Sequence, residues 1–542
     1  MRPLFAAALL LTAAPALAQQ APPAPAAPAP RPKLIVAISV DQLSGDLFAQ
    51  YRNRFARGFA RLLNGAVFPS AYQGHAATET CPGHSTILTG FRPDKTGIIA
   101  NQWVDQRVAR ADKVVYCAED PAVPGSTSSN YTASDKHLRV PTLGERMKQA
   151  NPATRVVAVA GKDRAAIMMG GHQIDEVWWW KDKDFVSYAG RTEPPVVTRT
   201  RAAVAGLLAS PQAALPLPGW CVGQDRAVQA GTVTLGRGRF ERAAGDTRSF
   251  RASPAADAAV LGLAAGLIQD MRLGKAAQAD LIAIGLSATD YIGHSFGTGG
   301  TEMCIQMDQL DQSLGAFFDT LDGWGLDYQV VLTADHGAHD VTERHQQRAM
   351  PMASRLSTEL SLTTVAKEIG TKLGLSGRVL ISADNDVHID RALSPADRTR
   401  VERELLVRLR GHPQVAAVLT KAQIAATPLP SGPPEGWTLA ERARASFDPE
   451  RSGDLLILFK PRVTPIPTPA PGYVETHGSP WDYDRRVPLI FWRRGAVGFE
   501  QPLSVETVDI APTLGALVGV ATPGVDGRCL DLDPGAADTC RP

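Results

Sequence analysis

The chain has 542 residues, 44% of them hydrophobic, which is enough to bury one large core or several ordinary ones. Its 56 Lys and Arg residues nearly balance 55 Asp and Glu residues, and the formal net charge is +1. This balance excludes a whole-molecule field that attracts nucleic acid or an anionic membrane, so any bound anion must be held by a local site.

The N-terminal residues 1–18 have the layout of a cleaved secretory signal peptide, with the basic Arg2, a short apolar run and a small-x-small end. Residues 19–32, QQAPPAPAAPAPRP, predict an extended Pro/Ala-rich tether, which leaves 33–542 as the folded part. We find no later stretch of 18 uninterrupted apolar residues. The sequence therefore predicts a periplasmic or secreted protein without a membrane span.

Several short apolar runs, rich in β-branched residues, show no alternation of apolar and polar positions, which is typical of strands covered on both faces of a parallel sheet. Helical patterns lie between them, so we expect a doubly wound, mainly parallel α/β sheet flanked by helices. The runs are LIVAISV (34–40), RVVAVAG (155–161), DLIAIGLSA (280–288), QVVLTA (329–334) and VPLIFW (487–492).

Two segments, near 170–250 and 345–470, are rich in Pro, Gly and charge and do not fit simple crossovers between strands. We expect them to be insertions that cap one rim of the sheet. The first contains VWWW (177–180), for which packing against the main domain is the expected role. The second contains a predicted helix with Ser394 as its cap and Pro395 in its first turn. Its apolar face is Val401, Leu405 and Leu409.

The cysteines form an even set in a chain predicted to be exported, where disulfides persist. They are Cys81, Cys117, Cys221, Cys304, Cys529 and Cys540. Six cysteines allow fifteen pairings. The local pair Cys529–Cys540 is the preferred prediction, and Cys81–Cys117 is the next. None lies in a C-x-x-C pair, which argues against a thiolate zinc site or a redox motif.

Charged side chains follow the predicted strands at the points where they end. Asp41 follows the first run, Lys162 the second, Asp290 the third and Asp335-His336 the fourth. The carboxyl ends of parallel strands share one rim, where such folds bind their ligands, so these residues should meet. Buried carboxylates require cations, and mixed Asp and His ligands favour zinc. His294 lies four residues after Asp290, so one helical turn points both side chains at the same ion.

The segment ATETCPGHSTILTG (76–89) places three hydroxyls and a thiol around a Pro-Gly break that should open a helix. These candidate nucleophiles are Thr78, Thr80, Cys81 and Ser85. A threonine hydroxyl is protonated at neutral pH and needs a base or a metal before it can attack. The residue types alone do not decide among the four.

The order of these motifs resembles the alkaline phosphatase superfamily, and more narrowly the PafA-like alkaline phosphatases of the type I phosphodiesterase/nucleotide pyrophosphatase branch. The resemblance covers about residues 34–520. It rests on Asp41, on Thr80 ahead of Pro82-Gly83-His84, on TDYIGH (289–294), on TADHG (333–337) and on His477 in ETHGSP (475–480).

The resemblance implies two Zn²⁺ ions and a threonine nucleophile. One zinc would be held by Asp290, His294 and His477, and the other by Asp41, Asp335 and His336, with the nucleophile Thr80 facing the second. A zinc ion at the threonine oxygen supplies the activation that this hydroxyl needs. No spacing argument from the residues alone would have selected His477.

The resemblance also indicates which type of phosphate ester is cleaved, a monoester or a diester. In the PafA-like group, residues matching Asn101, Lys162 and Arg164 contact the non-bridging phosphate oxygens. A monoester presents an additional charged oxygen to a Lys/Arg pair, whereas a diester carries an alkyl group there. A sulfatase is disfavoured because Cys81 lies one place too late for the C-x-P-x-R motif, and His84 stands where that motif has its arginine.

The sequence thus predicts an exported two-zinc alkaline phosphatase domain over 33–542, which hydrolyses phosphate monoesters through a phosphothreonine intermediate. The alternative is a phosphodiesterase or nucleotide pyrophosphatase with the same metals and nucleophile. A rival of another class is an exported protein that binds metal or phosphate without catalysis. We expect phosphate esters and inorganic phosphate as ligands, no nucleic acid as a structural partner, and a monomer.

Overall fold

The structure is a computed structural model that describes residues 31–383, 386–535 and 538–541. The predicted signal peptide and the predicted tether as far as residue 30 lie outside the described residues. The domain boundaries predicted from sequence stay predictions.

Within these ranges the strands alternate with helices along much of the chain. The strands are β1 (Leu34–Val40), β2 (Ala66–Tyr72), β3 (Gln102–Val104), β4 (Val114–Tyr116), β5 (Val156–Ala160), β6 (Glu176–Lys181), β7 (Asp184–Val186), β8 (Val228–Ala230), β9 (Val233–Leu235), β10 (Asp280–Leu286), β11 (Tyr328–Thr333), β12 (Ser354–Arg355), β13 (Leu380–Ala383), β14 (Asp386–Ile389), β15 (Val415–Thr420), β16 (Leu455–Phe459), β17 (Val463–Thr464), β18 (Arg486–Arg493), β19 (Phe499–Glu500) and β20 (Val505–Glu506).

The helices range from single turns to six turns. They are α1 (Gly45–Tyr51), α2 (Gly58–Leu62), α3 (Thr80–Ile87), α4 (Pro93–Thr96), α5 (Leu143–Ala150), α6 (Asp163–Gly170), α7 (Pro195–Ala209), α8 (Thr247–Arg251), α9 (Pro254–Asp270), α10 (Ala288–Phe296), α11 (Thr301–Gly323), α12 (Thr342–Gln347), α13 (Leu362–Leu373), α14 (Pro395–Arg410), α15 (Lys421–Ala426), α16 (Leu439–Arg444), α17 (Asp482–Arg485) and α18 (Ile510–Val518).

The main sheet has the order β19-β2-β18-β11-β1-β10-β5-β6-β7, with β20 beside β2. The central strand β1 pairs in parallel with β10 and β11, and β10 pairs in parallel with β5. All seven residues of β1 are buried, as expected for a strand covered on both faces. The α/β sheet flanked by helices that the sequence predicted is confirmed.

One of the five apolar runs does not run in parallel with the others. The run 487–492 forms β18, which pairs antiparallel with both β11 and β2. It is buried through most of its length, like the parallel strands. The absence of an alternating pattern therefore reports burial on both faces, and it does not report the direction of the strand.

The segment predicted as a first insertion contributes to the main sheet. Its VWWW residues lie in β6, which pairs in parallel with β5, and β7 closes the sheet edge. The remainder contains α7 and the β8–β9 hairpin. A disulfide between Cys221 and Cys304 attaches this segment to α11.

The segment predicted as a second insertion forms a separate four-stranded sheet of order β13-β14-β16-β15. Its hydrophobic core includes α14, whose Val401, Leu405 and Leu409 are fully buried. The Ser394 hydroxyl caps this helix by accepting a hydrogen bond from the Asp397 N–H at 3.1 Å. The helix thus has the cap, the Pro395 first turn and the buried face that its sequence predicted.

The two disulfides preferred from the sequence, Cys529–Cys540 and Cys81–Cys117, are both present. Together with the pair between Cys221 and α11 they leave no free cysteine. Among the described residues, no helix combines the length and the apolar character that crossing a membrane requires.

Candidate active site

The predicted acidic residues lie together at the carboxyl rim of the main sheet. Asp41 follows β1 directly, and its N–H donates to the Leu286 carbonyl at the end of β10 at 2.9 Å. Asp290 lies in the first turn of α10, just beyond β10, and Asp335 follows β11. In-register pairing of β1 with β10 and β11 brings these three chain segments to one place. All three carboxylates are buried, with exposures of 0–1%.

Three imidazoles face these carboxylates. His294 Nε2 and His477 Nε2 each lie 3.3 Å from Asp290 Oδ1. His336 Nε2 lies 3.5 Å from Asp41 Oδ1 and 3.4 Å from Asp335 Oδ2. The rings of His336 and His477 are stacked with centroids 3.6 Å apart, so the acid and imidazole groups form one continuous cluster.

Backbone carbonyls orient each of these rings through its other nitrogen. His294 Nδ1 is 2.8 Å from the Glu475 carbonyl, His477 Nδ1 is 2.8 Å from the Thr78 carbonyl, and His336 Nδ1 is 3.0 Å from the Gly337 carbonyl. A carbonyl oxygen only accepts, so each Nδ1 must carry the proton. Each Nε2 therefore points toward the carboxylates, as in histidines that bind metal through Nε2.

The electrostatics of the cluster favour bound cations. Burial raises the pKa of Asp41 well above its usual value, and the charges of Asp290 and Asp335 add to this rise. Burial lowers the pKa of His336 to about 3, so this ring is neutral at neutral pH. Within the described part of the chain, Asp41 Oδ1 and His336 Nε2 have no hydrogen-bond partner, whereas Asp335 Oδ2 lies 3.1 Å from His84 Nδ1. Acceptors that face one another without a proton between them fit a divalent ion.

Two overlapping groups of side chains could each hold an ion, because their ligand atoms lie within 4.8 Å of one another. The first group is Asp290, His294 and His477, which is one of the sets that the resemblance implied. The second group is Asp41, Asp290 and His336. In this second group Asp290 stands where the resemblance has Asp335, although Asp335 Oδ2 lies beside the same imidazole.

The ammonium group of Lys162 forms ion pairs with two of these buried carboxylates. Its Nζ lies 2.7 Å from Asp41 Oδ2 and 2.5 Å from Asp290 Oδ2. Burial alone would lower its pKa, but Asp290 and Asp41 outweigh burial and raise it. One ammonium does not neutralise three buried carboxylates, so the charge balance of the site also calls for further positive charge.

Thr80 is the first residue of α3, two positions before the start that the Pro-Gly break had predicted. The helix lies directly against the exit of β11: a Cβ added at Gly83 would stand 2.0 Å from the Asp335 carbonyl oxygen. Only glycine permits this approach, and it brings the buried Thr80 beside the acidic cluster. The hydroxyl thus lies near the positive end of its own helix.

Two basic side chains reach the Thr80 hydroxyl. Arg164 Nη2 lies 3.3 Å and Lys162 Nζ 3.5 Å from Thr80 Oγ1. Arg164 Nη1 also donates to the Tyr116 hydroxyl at 3.4 Å, and that hydroxyl donates to Asp163 Oδ1 at 2.7 Å. The guanidinium is therefore oriented by neighbours that the sequence did not reveal.

Asn101 lies at the N-terminal end of the nucleophile helix. Its Oδ1 accepts from the Cys81 N–H at 2.8 Å, and its own N–H donates to Glu79 Oε2 at 2.6 Å. The side-chain oxygen is thus engaged, which leaves the amide nitrogen of Asn101 as the group that can donate to a ligand. The disulfide between Cys81 and Cys117 fixes this segment against α3.

The other candidate nucleophiles are committed to structure. Cys81 is oxidised in its disulfide. The Thr78 hydroxyl donates to the Ser479 carbonyl at 2.7 Å, and the Ser85 hydroxyl donates to the Pro82 carbonyl at 2.8 Å. Of the four residues, Thr80 has the hydroxyl that faces the basic side chains.

Gln42 is a site residue that the sequence analysis missed. It has φ of 68°, an unusual conformation for a residue other than glycine. Its backbone N–H donates to Asp335 Oδ1 at 3.2 Å, and its Nε2 donates to Asp290 Oδ1 at 3.4 Å. A Cβ at Gly293 would collide with Gln42 Oε1 at 1.7 Å. A glycine inside a short helix was the only sequence feature that pointed to this contact.

A model of a known protein family matches most of the chain. The family described as type I phosphodiesterase/nucleotide pyrophosphatase matches residues 35–480. This range contains each of the predicted catalytic, substrate-binding and metal-ligating residues.

Individual relatives agree with that match. Alkaline phosphatase PhoK of Sphingomonas sp. is 58% identical over 550 residues, covering 99% of this chain and 98% of the relative. Alkaline phosphatase PhoD of Zymomonas mobilis is 48% identical over 516 residues, covering 94% of this chain and 89% of the relative. The crystal structure of wild-type alkaline phosphatase PafA has a TM-score of 0.80 and 25% identity, covering 93% of this chain and 99% of PafA.

Proposed function

We propose a function for this chain from the premise that it belongs to the type I phosphodiesterase/nucleotide pyrophosphatase family and, within it, to the PafA-like alkaline phosphatases. The chain is accordingly a hydrolase of the alkaline phosphatase superfamily. Its function is the hydrolysis of phosphate monoesters, with Thr80 as the nucleophile and two Zn²⁺ ions as cofactors. The observation that carries this proposal is the position of Thr80 Oγ1, within 3.5 Å of both Lys162 and Arg164 and beside the acid and imidazole cluster.

The donor set of the cluster fits zinc. Mixed carboxylate and imidazole ligation is characteristic of this ion. Asp290, His294 and His477 would hold one zinc, and Asp41, Asp335 and His336 the other. When bound, zinc supplies a Lewis acid that makes the Thr80 hydroxyl and a water molecule acidic enough to react at neutral pH.

The residues of the chain then bind and orient the phosphoryl group. Thr80 Oγ1 forms the bond to phosphorus as the bond to the alcohol oxygen breaks, in line, which gives a phosphothreonine and an alcohol. Arg164, Lys162 and the amide of Asn101 hold the non-bridging oxygens as charge develops on them. Water then attacks the phosphothreonine, and inorganic phosphate leaves with Thr80 restored.

Substitution of Thr80 tests the role of this residue. Thr80→Ala should retain bound metal and lose nearly all turnover of an aryl phosphate, while Thr80→Ser should keep part of it because a hydroxyl remains. Intact mass spectrometry of the acid-quenched wild-type enzyme should detect one added phosphoryl group, and Thr80→Ala should show none. Undiminished hydrolysis by Thr80→Ala would dismiss the assignment.

A phosphodiesterase or nucleotide pyrophosphatase is the second candidate, because the family description includes these activities. The Lys/Arg pair at Thr80 favours the monoesterase, since a diester places an alkyl group where a monoester places a charged oxygen. Rates on an aryl phosphate and on its methyl diester decide between the two. A strong preference for the diester would overturn the monoesterase proposal.

Export is part of the proposal. The signal-like residues 1–18 and the three disulfides support a periplasmic or secreted location. N-terminal sequencing of the protein recovered outside the cytoplasm should begin close to residue 19. Recovery of the full-length chain from the cytoplasm would contradict this.

A further inference from the structure

A cleft of about 350 Å³ leads away from the phosphoryl-binding residues. Its inner end is lined by Asn101, Arg164, His294 and His477, all of them predicted site residues. Its outer wall is apolar and is made of Leu356, Leu360, Leu362, Ile457, Phe459 and Pro465. The cleft is therefore open to the part of a substrate that extends from a phosphoryl group bound at these residues.

The apolar wall is an extension of the hydrophobic core of the second sheet. Leu360 and Ile457 are buried members of that core, and Leu356, Leu362 and Phe459 pack against it while partly exposed. Phe459 ends β16, and Leu362 begins α13. This part of the wall is therefore carried by regular secondary structure, which presents its shape to a ligand with little cost in ordering.

Tyr473 adds an aromatic ring at the same cleft. It is 49% exposed, unusual for so large an apolar surface, and its ring lies 5.5 Å from that of His294 with an interplanar angle of 36°. An exposed aromatic side chain beside a binding site is suited to contact apolar or aromatic groups.

Charge along the cleft is unfavourable to a second anionic group. Among its described lining residues, imidazoles apart, the charged side chains are Arg164, at the phosphoryl end, and Glu79. Neither a lysine nor a second arginine is among the described residues that line the cleft, so another phosphate on the leaving group would gain no cationic partner from them. The remaining polar side chains toward the outer wall are the hydroxyls of Ser361 and Thr476.

We propose that this cleft is the leaving-group site and that it selects esters of apolar alcohols and phenols. The preferred substrates are alkyl and aryl phosphates, over sugar, polyol and nucleotide phosphates. This inference rests on the proposed phosphomonoesterase function and names its substrate class. Phe459 and its apolar neighbours are then specificity-determining residues.

A homologous series of n-alkyl phosphates from methyl to hexyl tests the proposal, because the intrinsic reactivity of these esters changes little with chain length. Half-burial of each added methylene against the wall should raise kcat/KM about twofold, and hexyl phosphate should exceed methyl phosphate by roughly 30-fold. Glucose 6-phosphate and a nucleoside 5′-monophosphate, which are also monoesters of primary alcohols, should be poorer substrates than hexyl phosphate. Equal kcat/KM across the series, or a preference for the sugar or nucleotide, would overturn the inference.

Phe459→Ser should lower the ratio of hexyl to methyl kcat/KM by about three- to tenfold, by removing apolar contact and adding a polar group. The matched control is Val407→Ser, an exposed apolar residue of α14 with 69% exposure, which should leave the ratio unchanged. An unchanged ratio in Phe459→Ser, with thermal unfolding like that of wild type, would contradict the proposal.

The same experiments distinguish failure of the leaving-group site from failure of the proposed phosphomonoesterase function. If wild type turns over methyl phosphate and Thr80→Ala does not, but the longer esters are no better, the leaving-group site fails and the phosphatase stands. If wild type turns over none of the esters, the proposed function fails and the inference falls with it.

Discussion

Replacing Arg164 by alanine should separate monoester from diester hydrolysis. Arg164 Nη2 lies 3.3 Å from Thr80 Oγ1, so its guanidinium is close enough to donate hydrogen bonds to the oxygens of a phosphoryl group attached to Thr80. Its other contact, the Tyr116 hydroxyl, keeps its own partner in Asp163 after truncation. The substitution should therefore remove the proposed donor to the transition state, while the Tyr116 hydroxyl keeps its hydrogen bond to Asp163.

The expected loss in rate depends on the charge of the phosphoryl oxygen to which Arg164 donates. Removing one preorganised donor to a developing oxyanion typically costs about 10²- to 10³-fold in kcat, or roughly 3–4 kcal/mol. A monoester should suffer this full loss in Arg164→Ala. A methyl diester lacks the additional charged oxygen, so its rate should fall by about tenfold or less.

The assay measures kcat/KM for an aryl phosphate and for its methyl diester with the same purified variants. Arg199→Ala serves as the control because this arginine is an exposed residue of α7, with a side chain 62% exposed, and both rates should stay within about twofold of wild type. An equal loss on both esters in Arg164→Ala would refute the argument that this residue binds the monoester-specific oxygen.

Three further predictions concern packing, metal and disulfides. Gly83→Ala should destabilise the fold by about 1–3 kcal/mol and lower activity, because the added Cβ would lie 2.0 Å from the Asp335 carbonyl oxygen. The control is Gly262→Ala, which lies in α9 with open space around the added Cβ and should not destabilise the fold. Thermal unfolding of both variants checks this, and an unshifted Tm for Gly83→Ala would be inconsistent with the close approach. Exhaustive chelation should abolish hydrolysis and lower the Tm, because the buried carboxylates lose the positive charge that neutralises them. Adding Zn²⁺ should restore both activity and Tm. Full activity after chelation would argue against a metalloenzyme. The double variant Cys221→Ser and Cys304→Ser should lose about 2–5 kcal/mol of stability, and an unchanged unfolding free energy would contradict a stabilising role for this cross-link.

The fold was largely predictable because burial on both faces leaves a composition signature in each central strand. The runs that became β1, β5, β10 and β11 carry this signature and pair in parallel. The run that became β18 carries the same signature but runs antiparallel. Strand direction depends on the path of the chain between β11 and β18, which includes the whole second sheet, and composition does not record that path.

The site was predictable where it depends on strand ends. Asp41, Asp290 and Asp335 each follow a central strand, and parallel pairing then places them together. His477 comes from a loop after the second sheet, so only the resemblance to a family selected it. Gln42 acts through a backbone conformation with positive φ, which its residue type does not predict.

The contacts that orient the site residues could not be predicted from the sequence, because they depend on how distant segments of the chain pack together. Tyr116 reaches Arg164 because a disulfide at the next residue, Cys117, holds β4 against α3. The apolar wall of the cleft depends on how the second sheet lies over the first, and only coordinates reveal which of its core residues reach the cleft.

Anomalous diffraction at the zinc edge, from crystals of the enzyme with bound phosphate, tests the central claim most directly. We predict two peaks, one among Asp290, His294 and His477 and the other beside Asp41 and His336, with phosphate between them and Thr80 Oγ facing its phosphorus atom. A crystal with phosphate and zinc in which neither group of side chains carries a peak would contradict the account.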